Sequence, residues 1–467
     1  MYKIDFNKPC RIHFIGIGGI SMSGFAEYLH NKGFTVSGSD SQKSKITEHL
    51  VDLGIDVHYG QRKANITSDI ELVVYTAAIS KDNEEYLEVL DRNIPILNRS
   101  ELIGQLMINF DNSIAVAGTH GKTTTTSMLS QLFINADLDP TISVGGILEA
   151  IGGNIRVGNS QHFIVEACEY TNSYLDFKPK ISVILNIDAD HLDFFKDIDD
   201  IRNSFHSFAK LLSEDGQLFI NGEIDNYEEI TNDLDCQVIT YGISDSKYRK
   251  TDKLYDYSAN NIDFDNMRDG SFDLYAKDKL LGRIKLDILG LHNISNSLPA
   301  IAIALEAGIP IDIISDSLST FKNSKRRFEY KGTIGGVSVV DDYAHHPTAI
   351  SATLSAARAY PHNTLWCVFQ PHTYSRTKQH LNEFAEALAL ADKVVLSEIY
   401  AAREKNPGDI SSMDLAREIE LLGKEVYYFP GFDEIENFLL LNCINGDLLI
   451  TMGAGDIVCV GESLLGQ

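Results

Sequence analysis

Apolar runs a few residues long alternate with stretches of helical period over most of this chain, and many of the runs stop at glycine or a cluster of polar residues. Arg11–Ile15 reads as a strand, Gly16-Ile-Gly-Gly-Ile-Ser21 as a turn, and residues 22–29 as the helix that follows. A second strand at 35–37 ends at Gly38-Ser-Asp40. Leu72–Tyr75 and 94–97 read as further strands, each beside a helical stretch. This alternation predicts a parallel sheet with helices on both faces.

Residues 98–112 form a helix and connector into a second region of the same kind. An apolar strand from Ile114 breaks at Gly118, and a helical pattern resumes near Lys122 through Met128, Leu129, Leu132 and Phe133. Residues 163–166 are a strand ending in Glu166. Residues 181–187 are a β-branched run ending in Asp188-Ala-Asp-His-Leu-Asp193, and Gln217–Asn221 is another strand. From 245 to 287 the composition turns polar, with short strand-like runs that predict antiparallel strands or an insertion. Gly290 then opens an Ala/Ile-rich helix. A third α/β region starts near Lys325-Arg-Arg-Phe-Glu329, with strands at 337–340, 364–369, Lys393–Leu396, 425–429 and 447–451. At 467 residues the prior is roughly three domains.

Charge narrows the partners. The net charge is −26, and no Lys/Arg-rich stripe appears, which argues against nucleic acid and anionic membrane. An acidic chain that handles anions must gather its cations locally, so Lys122, Arg326, Arg327 and Arg376 carry information. The six cysteines include no C-x-x-C pair, so neither a zinc site nor a disulfide framework is supported. The charged N-terminus lacks the apolar core of a signal peptide, and no apolar run is long enough to cross a bilayer. A reducing cytoplasm is the expected compartment.

The chemistry centres on Gly118-Thr119-His120-Gly121-Lys122-Thr123-Thr124. Strand, glycine loop and helix in this order form a phosphate cradle: glycine lets backbone N–H groups approach an anion, and the helix start adds unpaired N–H groups. Lys122 contributes a full charge, and the Thr123 hydroxyl suits Mg²⁺. The first glycine lies two positions later than in the common G-x-x-x-x-G-K-[ST] loop. Glu166, at a strand end near this loop, sits where a metal-holding acid is expected, with Glu169 as its competitor. His191 is a candidate ligand, whereas Asp188, Asp190 and Asp193 read equally well as caps. Asn293 and Asn296 share one helix face and could read a purine edge or cap the helix. Gly16, Gly18 and Gly19, with Asp40 after the second strand, resemble a dinucleotide turn, but Ser21 stands where its third glycine belongs.

Taken together and in order, Gly-Thr-His-Gly-Lys-Thr-Thr, Val-Glu-Ala-Cys-Glu-Tyr, Asn-Ile-Asp-Ala-Asp-His, His-Asn-x-x-Asn, Arg-Arg-Phe-Glu, Asp-Asp-Tyr-Ala-His-His-Pro and Gln-Pro-His-Thr-Tyr-Ser-Arg resemble the Mur ligase family. The N-terminal Gly-Ile-Gly-Gly-Ile-Ser-Met-Ser adds to the match, and the motifs run from Gly16 to Arg376. The resemblance implies three α/β domains: a Rossmann-like UDP-sugar domain at 1–108, a P-loop ATPase-like domain at 109–323, and a Rossmann-like domain at 324–467 that meets the amino acid and the nucleotide. It implies that Gly118, Thr119, His120, Gly121, Lys122, Thr123 and Thr124 wrap ATP. Thr123 and Glu166 would hold one Mg²⁺ and His191 a second, with Mn²⁺ the alternative metal. Asn293 and Asn296 would meet adenine, and Arg327 and Asp342 would reach the nucleotide. Tyr343, His372 and Arg376 would line the acceptor side. Gly16, Gly18, Gly19 and Asp40 would serve UDP rather than a nicotinamide cofactor.

The implied reaction is ATP-dependent amide formation between the lactyl carboxylate of UDP-N-acetylmuramate and L-alanine through an acyl phosphate, with Lys122, Glu166 and His191 as the catalytic set. The partners are then small molecules, and the chain is a monomer or a homodimer. Two departures stand out. Some relatives carry a basic residue where Thr373 stands, which leaves Arg376 alone with the acceptor carboxylate. Lys210 is the nearest candidate for the carbamylated lysine of related ligases, and the alanine-adding branch usually lacks that group. The rival readings are a recycling ligase that takes a preformed peptide, a folate-type polyglutamate ligase, a dehydrogenase with a regulatory ATP domain, and a nucleotide sensor.

Overall fold

The computed structural model of the protein describes residues 2–76, 79–192, 194–248, 253–265, 269–288, 290–322, 325–358, 360–402 and 404–467. Asp193 lies outside them. The chain forms two compact units, one of Met1–Gly118, Leu129–Ile187 and Arg202–Ile239, the other of Thr119–Met128, Asp188–Ile201 and Thr240–Gln467.

The first unit opens with β1 (Arg11–Ile15), β2 (Thr35–Asp40), β3 (Asp56–Tyr59), β4 (Leu72–Tyr75) and β5 (Ile96–Asn98), paired in parallel in the order β3-β2-β1-β4-β5. The order reverses between β1 and β4, and ligands of such sheets bind outside the strand ends at that switch. Ile15 pairs with Tyr75, so Gly16 and Thr76 leave the sheet side by side. The same unit holds β6 (Asn112–Ala117), β7 (Thr141–Leu148), β8 (Gly153–Arg156), β9 (His162–Glu166), β10 (Ile181–Ile184) and β11 (Gln217–Asn221), in the order β11-β10-β6-β9-β7-β8. Only β8 runs antiparallel to its neighbour in this set. β6 lies between β9 and β10, with Val116 opposite Glu166 and Ala117 opposite Ile184.

The unit boundary falls inside β12 (Gln237–Ile243). In the second unit Tyr241 to Ile243 pair in parallel with β13 (Tyr257–Asp265), which pairs antiparallel with β14 (Asp269–Ala276), and β14 with β15 (Lys279–Leu286). The polar 245–287 stretch is therefore the antiparallel segment that its composition suggested. The last sheet, of β16 (Glu329–Ile334), β17 (Val337–Asp342), β18 (Leu365–Phe369), β19 (Lys393–Leu396), β20 (Glu425–Tyr428) and β21 (Leu448–Met452), runs β16-β17-β21-β18-β19-β20. Only β16 is antiparallel to its neighbour.

The β18 strand explains why these strands read as unbroken apolar runs. Leu365, Cys367 and Phe369 pack into the core on one face of the sheet, while Trp366 and Val368 pack into the core on the other. Side chains alternate faces along a strand, and a strand covered on both sides needs apolar residues at every position. The Trp366 ring still satisfies its N–H by donating to Asp447 Oδ2 at 3.0 Å.

Some strands differ from the sequence expectation. β10 stops at Ile184 rather than 187, and β17 extends to Asp342. β3, β7, β8, β12 and β16 are additions. β3 is a part-exposed edge strand with no buried residue, and β7 carries two glycines, so neither shows the apolar run that marks its neighbours.

Candidate active site

The phosphate loop takes the conformation that its glycines predict. Gly118 has φ +145 and Gly121 φ +82, backbone that side-chain-bearing residues rarely adopt. A Cβ on Gly118 would come to 2.8 Å from Leu185 Cβ, so the loop passes the end of β10 in close contact. The helix Lys122–Asn135 begins with no acidic residue in its first turn, which leaves its N-terminal field to an anion. Thr123 and Thr124 are buried there. The Lys122 ammonium donates to Thr119 O at 3.0 Å, folded back along the loop. The Thr119 hydroxyl accepts from Asp188 N at 2.9 Å, and His120 Nε2 lies 3.0 Å from Asp188 Oδ2. Thus two loop side chains hold the segment that carries His191. Burial acts to raise the Asp188 carboxyl, but the hydrogen bond and charge of His120 prevail and hold it below the usual carboxylate range.

Asn296 has a task that its spacing alone did not predict. The sequence reading gives Asn293 and Asn296 to adenine, and both side chains are buried. In the helix Leu291–Glu306, the Asn296 carboxamide lies against Gly121, and the backbone carbonyl of Asn296 accepts from Thr125 Oγ1 at 3.1 Å. It therefore supports the loop from behind. A Cβ on Gly121 would come to 2.9 Å from Asn296 Cγ and closer still to Oδ1. Gly121→Ala is accordingly expected to cost about 2 kcal/mol of stability, from positive φ and collision together. Removing the collision with Asn296→Ala in the same chain is expected to recover part of the loss. Thermal melts of the single and double variants measure the coupling, and strictly additive losses would refute the contact.

In the first unit, Glu166 ends β9 half-buried, and its Oε2 accepts from Gly145 N at 2.7 Å. Gly145, on β7, is a supporting residue without a motif of its own. Glu169, the competitor, is buried at the start of the 3₁₀ segment Tyr170–Asp176. Gly16 adopts φ +81, and its N–H and that of Ile17 both donate to Ser39 O at 2.9 Å. Gly18 N donates to Asp40 Oδ2 at 2.8 Å, so this carboxylate shapes the turn as well as facing its mouth. Gly19 is the N-cap of the helix Ile20–Asn31, whose start has no side-chain cap and no acidic residue. Arg99 reaches that helix start, donating to Ser21 Oγ at 3.2 Å. This cation lies outside the glycine motif and went unmarked in the sequence. Lys210 pairs with Asp233 at 2.8 Å on an exposed surface, which gives its amine a structural partner.

The second unit gathers the remaining residues. Of two adjacent arginines, Arg326 is structural. Its Nε donates to Asp341 Oδ2 at 2.9 Å, and its Nη groups donate to the Gly455 and Gly453 carbonyls. Both guanidinium groups lie over the Tyr343 ring, Arg326 at 5.1 Å and Arg327 at 5.2 Å from its centroid. Asp342, expected at the nucleotide, accepts from Phe328 N and Ala344 N, both at 2.8 Å, and so also fixes the turn that presents Arg327. Burial raises its carboxyl against the pull of Arg327. Thr373 has φ +69 and caps the short helix Tyr374–Gln379.

Arg376 joins two groups of site residues. Its Nε and Nη2 donate to Asp190 Oδ1 at 3.3 and 3.0 Å, and its Nη1 to His372 Nδ1 at 3.2 Å. Asp190 is buried, which acts to raise its carboxyl, yet the guanidinium holds it far below the usual range. His191 follows with φ +56. A guanidinium has five N–H donors, so two remain after these three bonds for an incoming carboxylate.

Among the described residues no group of three or more His, Cys, Asp and Glu side chains is arranged to hold a metal ion by itself. Thr123 and Glu166 are hard oxygen donors of the kind Mg²⁺ takes alongside water and phosphate oxygens. The His191 nitrogen is a less natural Mg²⁺ donor. Among the described residues no helix is long and apolar enough to cross a membrane.

A family-wide comparison accounts for this set of glycine turns, phosphate loop and arginine-bearing third sheet. The Mur ligase family catalytic-domain model matches residues 11–111, the Mur ligase middle-domain model residues 116–304, and the Mur ligase glutamate-ligase-domain model residues 326–455. The chain belongs to the Mur ligase family, with its three-domain α/β architecture. It is 57% identical over 467 residues to the UDP-N-acetylmuramate–L-alanine ligase of Lachnoclostridium phytofermentans, covering 100% of both chains. Against the enzyme of the same name from Lachnospira eligens it is 56% identical over 465 residues, again covering 100% of both. The crystal structure of the UDP-N-acetylmuramate–alanine ligase of Thermotoga maritima superposes with a TM-score of 0.76 at 27% identity, with 98% of each chain covered. A murein peptide ligase from Psychrobacter arcticus shares the fold, with a TM-score of 0.68 at 23% identity and 98% of each chain covered.

Proposed function

We propose that this chain is an ATP-dependent ligase that joins L-alanine to the lactyl carboxylate of UDP-N-acetylmuramate, a cytoplasmic step in peptidoglycan precursor synthesis. One observation carries the reading: 57% identity along the whole length to a ligase of that name. The recycling alternative, with a preformed peptide as acceptor, is not favoured by relatives of this identity. The domains are 1–108 for the UDP-sugar, 109–323 for ATP and 324–467 for the amino acid.

A carboxylate does not react with an amine until one oxygen becomes a leaving group. Transfer of the γ-phosphoryl group makes that change, and it needs positioning and charge neutralisation more than covalent help. The loop N–H groups from Gly118 to Thr124 and the Lys122 ammonium hold the triphosphate. Thr123 and Glu166 are the oxygen donors for Mg²⁺, and His191 is the donor for a second ion. Bound Mg²⁺ supplies charge neutralisation on the phosphoryl oxygens. Asn293, Asn296 and Arg327 contact the nucleotide, and Asp342 holds Arg327. Gly16, Gly18, Gly19 and Asp40 bind the UDP moiety at the start of the helix Ile20–Asn31, where unpaired N–H groups face an anion. Arg376 takes the L-alanine carboxylate beside Tyr343 and His372.

Phosphate release from ATP tests the assignment. Release is expected with UDP-N-acetylmuramate and L-alanine together, and not when either is left out. Release with a tripeptide in place of L-alanine, and none with L-alanine, would transfer the chain to the recycling class. Glycine and L-serine as acceptors measure side-chain selectivity.

A further inference from the structure

The Asp341-Asp-Tyr-Ala-His-His-Pro347 motif carries two histidines to which the reading so far gives no task. The hydrogen bonds around them assign their protons. His346 Nε2 faces Ala189 O at 3.0 Å. A carbonyl only accepts, so Nε2 carries the proton. Burial and the neighbouring His120 push this ring down to about 4, so it is neutral, and its Nδ1 lone pair is sealed in the interior without a partner among the described residues. His346 is a strut between the rings of His120 and His380, each 5.0 Å away.

His345 is set the other way round. Its Nδ1 faces Tyr343 O at 2.9 Å and must be the protonated nitrogen. The ring is half-buried. Burial first, and then the Arg376 charge, hold it well below the usual histidine range, so the imidazole is neutral at physiological pH. The lone pair is therefore on Nε2, which has no hydrogen-bond partner among the described residues. The charged and titratable groups facing the ring are Arg376, Asp190, His372 and the Tyr343 ring, whose centroid is 5.3 Å away. His372, with its centroid 5.7 Å away, already spends its Nδ1 lone pair on Arg376.

We propose that His345 is the general base of the amide-forming step, accepting on Nε2 the proton that the acceptor nitrogen must lose. This rests on the ligase reading above. The amino acid arrives as an ammonium ion, and the Arg376 charge beside it favours loss of the first proton to solvent. The neutral amine then attacks the acyl carbon. The C–N bond forms, the nitrogen becomes cationic and acidic, and Nε2 takes its second proton. The C–O bond to phosphate breaks, the electron pair leaves with phosphate, and His345 returns its proton to phosphate or water. A weak base suffices because the attached nitrogen is far more acidic than a free ammonium. Tyr343 O and the Nδ1 proton keep the basic nitrogen pointed away from the backbone.

His345→Asn tests this, because an asparagine Nδ2 can replace Nδ1 as donor to Tyr343 O while nothing replaces Nε2. The probe is hydroxylamine, whose nitrogen, once attached to the acyl carbon, is more acidic than that of an amino acid and gives its proton to water without a positioned base, supplied in place of L-alanine with ATP and UDP-N-acetylmuramate. In the variant, kcat with L-alanine is expected to fall about 10²-fold, with KM for L-alanine changed less than about threefold. The acidic limb of the kcat–pH profile is expected to disappear, and hydroxamate formation to remain within about threefold of wild type. A variant that retains kcat with L-alanine within about threefold, or that loses hydroxamate formation in parallel, overturns the proposal. Failure of the wild-type chain to form hydroxamate would instead overturn the ligase reading. Should His345→Asn fold poorly by thermal melt, His345→Gln, which places a non-basic polar atom near the Nε2 position, is read against the same outcomes.

Discussion

Replacing Lys122 by alanine is expected to lower kcat by about 10³-fold, the upper range for loss of one charge contact to a transition state. The ammonium now donates to Thr119 O at 3.0 Å, one swing of a four-carbon stem from the mouth of the glycine loop. Alanine is the best helix former, so the first turn of Lys122–Asn135 survives. The melting temperature is therefore expected to stay within about 1 °C of wild type, a shift that corresponds to about 1 kcal/mol in a chain of this size. Lys122→Arg keeps the charge but not the compact ammonium, and is expected to recover only part of the rate. Steady-state phosphate release together with a thermal melt separates the two effects. Turnover within tenfold of wild type in Lys122→Ala would remove the phosphate loop from the mechanism.

The sequence makes this residue easy to find because the chemistry of the loop is local. Gly118, Gly121 and Lys122 lie within one turn, and their backbone angles follow from their identities. The same holds for the Gly16 turn and for β1, β4, β11 and β19, whose apolar runs match their observed bounds. Contacts between distant residues were not legible. Nothing near Glu166 announces that Gly145 will hold its carboxylate, and nothing near Gly121 announces the Asn296 carboxamide. Arg326 and Arg327 look equivalent in sequence. Only the carbonyls of Gly453 and Gly455, more than a hundred residues away, make the first a structural cation. Likewise the tautomers of His345 and His346 depend on which carbonyl each ring meets, and composition carries no trace of that.

Arg376→Met is expected to act on binding and stability at once, and the reason lies in its partner. Asp190 and Arg376 are 8% and 12% exposed at their side chains, so their ion pair is poorly screened by solvent. Removing the arginine leaves a buried carboxylate with no counter-charge, which costs about 3–5 kcal/mol where such pairs are broken from one side. It also removes the donors offered to the amino-acid carboxylate. Charged hydrogen bonds of this kind contribute about 1.5–3 kcal/mol, so KM for L-alanine is expected to rise by about 10²-fold. Methionine keeps the stem packing, so the loss measures charge rather than volume. Arg326→Met is the informative contrast, because Arg326 also lies over the Tyr343 ring, at 5.1 Å, but turns its donors to buried Asp341 and two carbonyls. It is expected to lower the melting temperature comparably while leaving KM for L-alanine near wild type. Equal KM changes in the two variants would mean that the Arg376 effect is a general loosening of the third sheet, and the acceptor carboxylate would then need another cation.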